Sequence, residues 1–152
     1  MSVKVGSAAG GSYGITKVIA TQNLPQTATA TLFTVNGGLI AVNYIVGLVT
    51  TALGATVTSL SLGNTPTGGA NAPASIATSA VVTSKVLGSL YVALFTSSIA
   101  AAPIQANVVS LVPLAPFIVP AGVITWTTTA SDTGQMAWYI SYLPIDAAAS
   151  VS

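Results

Sequence analysis

Few residues in this chain could do chemistry. Five side chains carry a fixed charge: Lys4, Lys17, Lys85, Asp132 and Asp146, and there is no Arg, Glu, His or Cys. Zinc or copper sites built on His and Cys, Ser/His and Cys/His nucleophiles, disulfide frameworks and a cationic nucleic-acid face therefore lack their ligands. Three motifs remain to be weighed. Gly10-Gly11-Ser12-Tyr13-Gly14 fits the nucleophile elbow G-x-S-x-G, but that motif needs a preceding strand and a His partner, and the sequence supplies neither. Asp132-Thr133-Gly134 fits the aspartic-protease triplet, in which two carboxylates of a pair share one proton. The triplet normally follows an apolar strand; here Thr129-Ala130-Ser131 precedes it, so a hairpin turn before Gln135 is the better reading. Trp138, Tyr139 and Tyr142 are close enough to stack on a base or a sugar. Strand alternation puts Trp138 and Tyr142 on one face, the core face, and leaves Tyr139 on the other as the exposed contact candidate. No catalytic residue, metal ligand or cofactor site is expected.

The elements that would position these residues are strands. Thr29 to Val35, Thr56 to Leu62, Val123 to Thr129 and Gln135 to Leu143 are short, β-branched or aromatic, and partly alternating. In Thr56 to Leu62 the phase slips between Val57 and Leu60, which predicts a bulge. Leu39 to Thr51 reads as one long strand bent at Gly47, and Ala72 to Ala80 as either a short helix or a loop. Turn clusters separate them at Asn36-Gly37-Gly38, Gly63 to Gly69, Pro120-Ala121-Gly122 and Ser131 to Gly134. Many short strands without 3.6-residue periodicity predict an all-β chain, a single antiparallel β-sandwich or jelly roll of about eight strands.

The domain is expected over residues 15–146, with a bland C-terminal tail at 147–152. Residues 1–14 are rich in Gly and Ser and have no hydrophobic periodicity, which marks either a flexible end or an arm ordered by a partner. Val3, Lys4, Val5 and Tyr13 are its contact candidates, able to grip a neighbour by strand addition.

Composition then turns to the surface. The chain is 52% hydrophobic with a net charge of +1, so it is not a disordered type. A folded protein of 15.0 kDa exposes roughly 7,000 Å², and five charges cannot dress that area as soluble surfaces usually are. Either lipid or other protein covers it. Gly38 to Val57 and Val86 to Ile104 are uncharged stretches long enough to span, but β-branched residues, glycines and the lack of flanking Lys or Arg as orientation signals disfavour a helical membrane protein. A secretory signal is not supported by the Gly- and Ser-rich start either. Permanent interfaces are apolar and poor in charge, so a subunit of a lasting assembly is the expectation.

Leu32-Phe33-Thr34-Val35-Asn36-Gly37-Gly38, Val49 to Leu53, Pro120-Ala121-Gly122-Val123-Ile124, Thr133-Gly134 and Trp138 to Pro144 resemble small virion proteins of tailed bacteriophages. The resemblance runs from Thr29 to Pro144 on loose, mostly fold-determining motifs. It implies a capsid decoration or cement protein on the capsid surface of the virion, often a homotrimer, with the major capsid protein as partner and no catalytic residues, small-molecule substrate or nucleic acid. The near absence of charge departs from it and removes electrostatic docking. A head-fibre or receptor-binding domain, with aromatics exposed at one end, and a membrane-associated β protein are the alternatives.

Overall fold

The computed structural model describes residues 14–68, 74–94, 100–101 and 116–152. Eleven strands and no helix occur among them, arranged as two antiparallel sheets packed face to face. The sheet that holds the aromatic strand joins β1 (Ile15–Asn23), β10 (Gln135–Pro144), β3 (Ile40–Thr51), β6 (Leu90–Leu94) and β7 (Ala100–Ala101) in that order. β8 (Phe117–Val119) pairs with the first residues of β3, and β6 with its later ones. The second sheet has the order β11 (Ser150–Val151), β2 (Thr29–Asn36), β9 (Gly122–Thr128), β4 (Ser59–Pro66), β5 (Ala74–Val81). The chain changes sheet at β1–β2, β2–β3, β3–β4, β5–β6, β8–β9, β9–β10 and β10–β11. Its loops therefore collect at the two ends of the sandwich, as in β-sandwich folds generally.

Alternation sets which side chains meet. In β9 the inward residues Ile124, Trp126 and Thr128 are buried, while Val123, Thr125 and Thr127 are half-exposed. In β10, Met136, Trp138, Ile140 and Tyr142 point inward against them. Trp126 and Trp138 meet across the layers edge to face, with centroids 5.3 Å apart at 79°, and Tyr91 adds a second such contact to Trp138 at 5.7 Å and 67°. These three rings anchor the core, and pairs of this geometry contribute about 0.5–1.5 kcal/mol each beyond the area they bury.

Four sequence expectations change. The irregularities of β3 against β10 lie at Asn43–Tyr44 and at Thr50, not at Gly47. Gly47 is small because Trp138 and Met136 occupy its place: a Cβ there would come within 2.7 Å of Met136 Cε and 2.9 Å of the indole. Residues 56–58 are a loop, so the strand expected from Thr56 begins only at Ser59, while the irregularity expected in this stretch is present as a ladder shift against β5 between Leu60 and Leu62. Gly63-Asn64-Thr65-Pro66 is not a turn; it completes β4, with Asn64 buried opposite Ile124 and Pro66 at the terminal residue, where a missing N–H is tolerated. Residues 147–152 are not a tail, since Ser150 and Val151 pair with Asn36 and Val35, and Ala149 and Val151 enter the core. The undecided segment Ala72 to Ala80 contributes β5 from Ala74 onward.

Candidate functional site

The Asp-Thr-Gly triplet forms the loop between β9 and β10 and faces its own chain. Asp132 is 7% exposed, and its Oδ1 accepts the Thr133 N–H at 2.8 Å. Gly54 lies against that carboxylate so tightly that a Cβ would fall 2.0 Å from Oδ1. Gln26 Nε2 donates to the Leu24 and Asp132 carbonyls at 2.9 and 2.8 Å, Thr128 Oγ1 donates to the Pro25 carbonyl, and Gly54 N donates to Thr133 O at 3.2 Å. The loop is a clasp joining the β1–β2, β3–β4 and β9–β10 connections. The other aspartate, Asp146, lies at the far end of the sandwich beyond β10. The two carboxylates of one chain are therefore nowhere near each other. Among the described residues no group of three or more His, Cys, Asp or Glu is placed to hold a metal ion.

The aromatic candidates divide as alternation predicts. Trp138 is fully buried and Tyr142 nearly so, its hydroxyl accepting the Val151 N–H at 3.2 Å and so holding β11 in place. Tyr139 is on the outward face, but half-buried rather than exposed. Its register row continues through the half-buried Val46 to Val92, which is only 2% exposed. Val3, Lys4, Val5 and Tyr13 lie outside the described residues, as do all of Gly10 to Gly14 except Gly14. Gly14, at φ +77°, sits against the Tyr142 carbonyl where a Cβ would come within 2.4 Å. Gly14 thus lies at the end of the sandwich where β10 finishes.

The surface itself carries the remaining signal. The outer face of the second sheet is a field of hydroxyls: Thr29, Thr31 and Thr34 on β2, Thr125 and Thr127 on β9, Ser59, Ser61 and Thr65 on β4. Thr29 and Thr127 hydrogen-bond to each other at 2.7 Å. Such a face is wetted without any charge. The large exposed apolar side chains are elsewhere, at the two ends. One end carries Ile15, Leu39, Ile118 (54% exposed), Leu143 and Ile145 (50%). Leu143 and Ile118 flank Ala41 on neighbouring strands, and Ile145 N donates to Leu39 O at 2.9 Å, so these residues are contiguous. The opposite end carries Val57 (77% exposed), Val81, Val86 and Leu87 (69%). Sequence reading missed both groups, because alternation says which face a strand residue takes and says nothing of loop residues such as Val57 and Leu87.

Comparison with protein-family models, with curated proteins and with solved structures finds no match for this chain. No helix among the described residues is long and apolar enough to cross a membrane, a statement that does not bear on membrane β-barrels.

Proposed function

We propose that the protein is a structural, non-catalytic subunit of a virion, which attaches to and stabilises a bacteriophage capsid shell through apolar and backbone contacts. One observation carries the reading: the exposed large apolar residues gather at the two ends of a sandwich whose hydroxylated face bears no charge. Contiguous exposed apolar surface marks contact with protein or membrane. The resemblance of Thr29 to Pro144 to small tailed-phage virion proteins suggests the kind of shell. Among the described residues the largest aromatics, which a receptor-binding head would present, are inside: Tyr91, Trp126, Trp138 and Tyr142 are buried, and Tyr44, Phe117 and Tyr139 are half-buried.

The test is to mix the purified chain with capsid shells lacking it, sediment them, and count copies by quantitative mass spectrometry. Attachment in fixed proportion to the capsid subunit, with a raised melting temperature of the shell, is the expected result. A few copies per particle would indicate a fibre head, and a chain that leaves detergent only by precipitating would indicate a membrane β protein.

A further inference from the structure

The two apolar ends differ in charge. The end formed by Leu39, Leu143 and Ile145 carries Asp146, which is exposed and holds its place by accepting the Leu39 N–H on Oδ2 at 2.7 Å. The opposite end carries Lys85, half-exposed in the β5–β6 connection beside Val86 and Leu87. Asp132, at this same end, is turned inward under Gly54. Lys17 is on the outer strand β1, opposite Ile140 and between the ends. Among the described residues, then, one end is apolar with a projecting carboxylate and the other apolar with an ammonium.

The Lys85 end is also built to project. Ser84 adopts φ +53° and Gly88 φ +86°, and Ser89 N donates back to Val86 O at 3.1 Å, a tight turn with Leu87 and Gly88 at its tip. Turn tips usually carry polar residues. Here the turn is fixed to the body by Leu53 N to Lys85 O at 2.8 Å and Gly88 N to Val49 O at 2.9 Å, so an apolar tip is held out rigidly.

We infer that the occupant of each end is the other end of a second copy of this chain, giving a polar, head-to-tail contact in which Val86 and Leu87 of one copy pack on Leu39 and Ile145 of the next, with Lys85 facing Asp146. The proposed function rests on the same two ends: in an open row the shell meets the end that no further copy covers, and in a closed ring it meets other surface. A like-to-like contact would bring two Asp146 carboxylates, or two Lys85 ammonium groups, into one apolar interface with no opposite charge from the described residues of that end; the heterologous pairing joins opposite signs. The apolar residues supply the attraction, and the charge pair selects polarity, which is the usual division of labour at interfaces. A head-to-tail contact closes into a ring when its rotation allows, a trimer included, and otherwise grows into a filament.

The experiment is a mixing test with full-length chains in analytical ultracentrifugation. Leu87→Asp disables one end and Ile145→Asp the other; both side chains are exposed, so both variants fold, as circular dichroism checks. Wild type is expected to associate with rising concentration, and each variant alone to remain at 15.0 kDa. An equal mixture should give a single species of twice that mass, since only one intact head and one intact tail meet. Lys85→Gln or Asp146→Asn should weaken wild-type association at low salt by at most about fivefold. Self-association of either variant alone would overturn the inference in favour of a like-to-like contact. A monomeric wild type at every concentration, or a mixture that stays monomeric, would overturn it outright, whatever the outcome with shells.

Discussion

Tyr91→Phe should stabilise this protein, although it removes a polar group from the middle of the fold. Tyr91 is on the inward face of β6, opposite Gly47, with its ring edge to face with Trp138. The side chain is fully buried, and its hydroxyl has no hydrogen-bond partner among the described residues. Burial accordingly pushes the phenol well above its ordinary value of 10.0. Burying a hydroxyl without a partner costs about 1–3 kcal/mol by mutational measures. Phenylalanine keeps the ring and its contact with Trp138, and the lost oxygen gives back a few tenths of a kcal/mol of dispersion. A net gain of about 1 kcal/mol is expected, which for a chain of this length raises Tm by about 2–4 °C. The pH dependence gives a second reading. The unfolded chain releases this proton near pH 10 while the folded chain keeps it, so the wild type holds its full stability below that pH. Above it the Tyr91 contribution falls by up to about 1.4 kcal/mol per pH unit. The phenylalanine variant has no proton to release at this position, so its advantage should widen in alkali. Urea melts of both proteins at pH about 7 and about 11 measure it. A variant less stable by about 1 kcal/mol or more would show that the hydroxyl is bonded, and a difference independent of pH would show that the phenol is not sealed in the core.

Other substitutions test the account of the fold. Gly122→Ala, at φ +151° with a Cβ 2.3 Å from Thr65 O, should cost about 1–3 kcal/mol in a thermal melt, because the nearest neighbours are all backbone. Deleting residues 149–152 should cost at least about 2 kcal/mol, through loss of buried Ala149 and Val151 and of the Tyr142 hydroxyl's donor, as equilibrium denaturation would show; a bare tail would cost nothing. Deleting residues 1–13 should leave Tm unchanged and weaken shell attachment in a sedimentation assay, as expected of an arm that grips a neighbour.

Where strands carried alternation in large side chains, the sequence was enough. β9 and β10 were legible to within a residue because Trp126, Trp138 and their neighbours repeat at period two. β5 was not, since Ala, Ser and Thr fill six of its eight positions and its two large apolar residues, buried Ile76 and exposed Val81, set up no alternation. β4 was cut short because Gly63, Asn64 and Pro66 suggest turns, and only its place between β9 and β5 overrides that local preference. β11 is two residues long, too short for any period. The Asp132 loop was legible as a break between strands from its Asp and Gly, but not as a hairpin turn: β9 and β10 are in different sheets, so the loop crosses from one layer to the other. The apolar ends were not, because Leu39, Ile145 and Leu87 become neighbours or projections only once the sheet-to-sheet connections have been folded over.

The central claim is that apolar contact, not charge, holds this subunit in its assembly. Raising salt from about 0.1 M to about 1 M shortens the screening length from about 10 Å to about 3 Å, and an exposed ion pair contributes only about 0–1 kcal/mol to begin with. An interface of about 800 Å² per partner removes apolar surface from water at roughly 25 cal/mol per Å², well above that before the cost of association is met. Attachment to shells, followed by sedimentation across this salt range, should stay nearly constant and be lost in mild detergent or urea. Release of the chain at high salt would contradict the claim and place a charged docking site at the centre of its function.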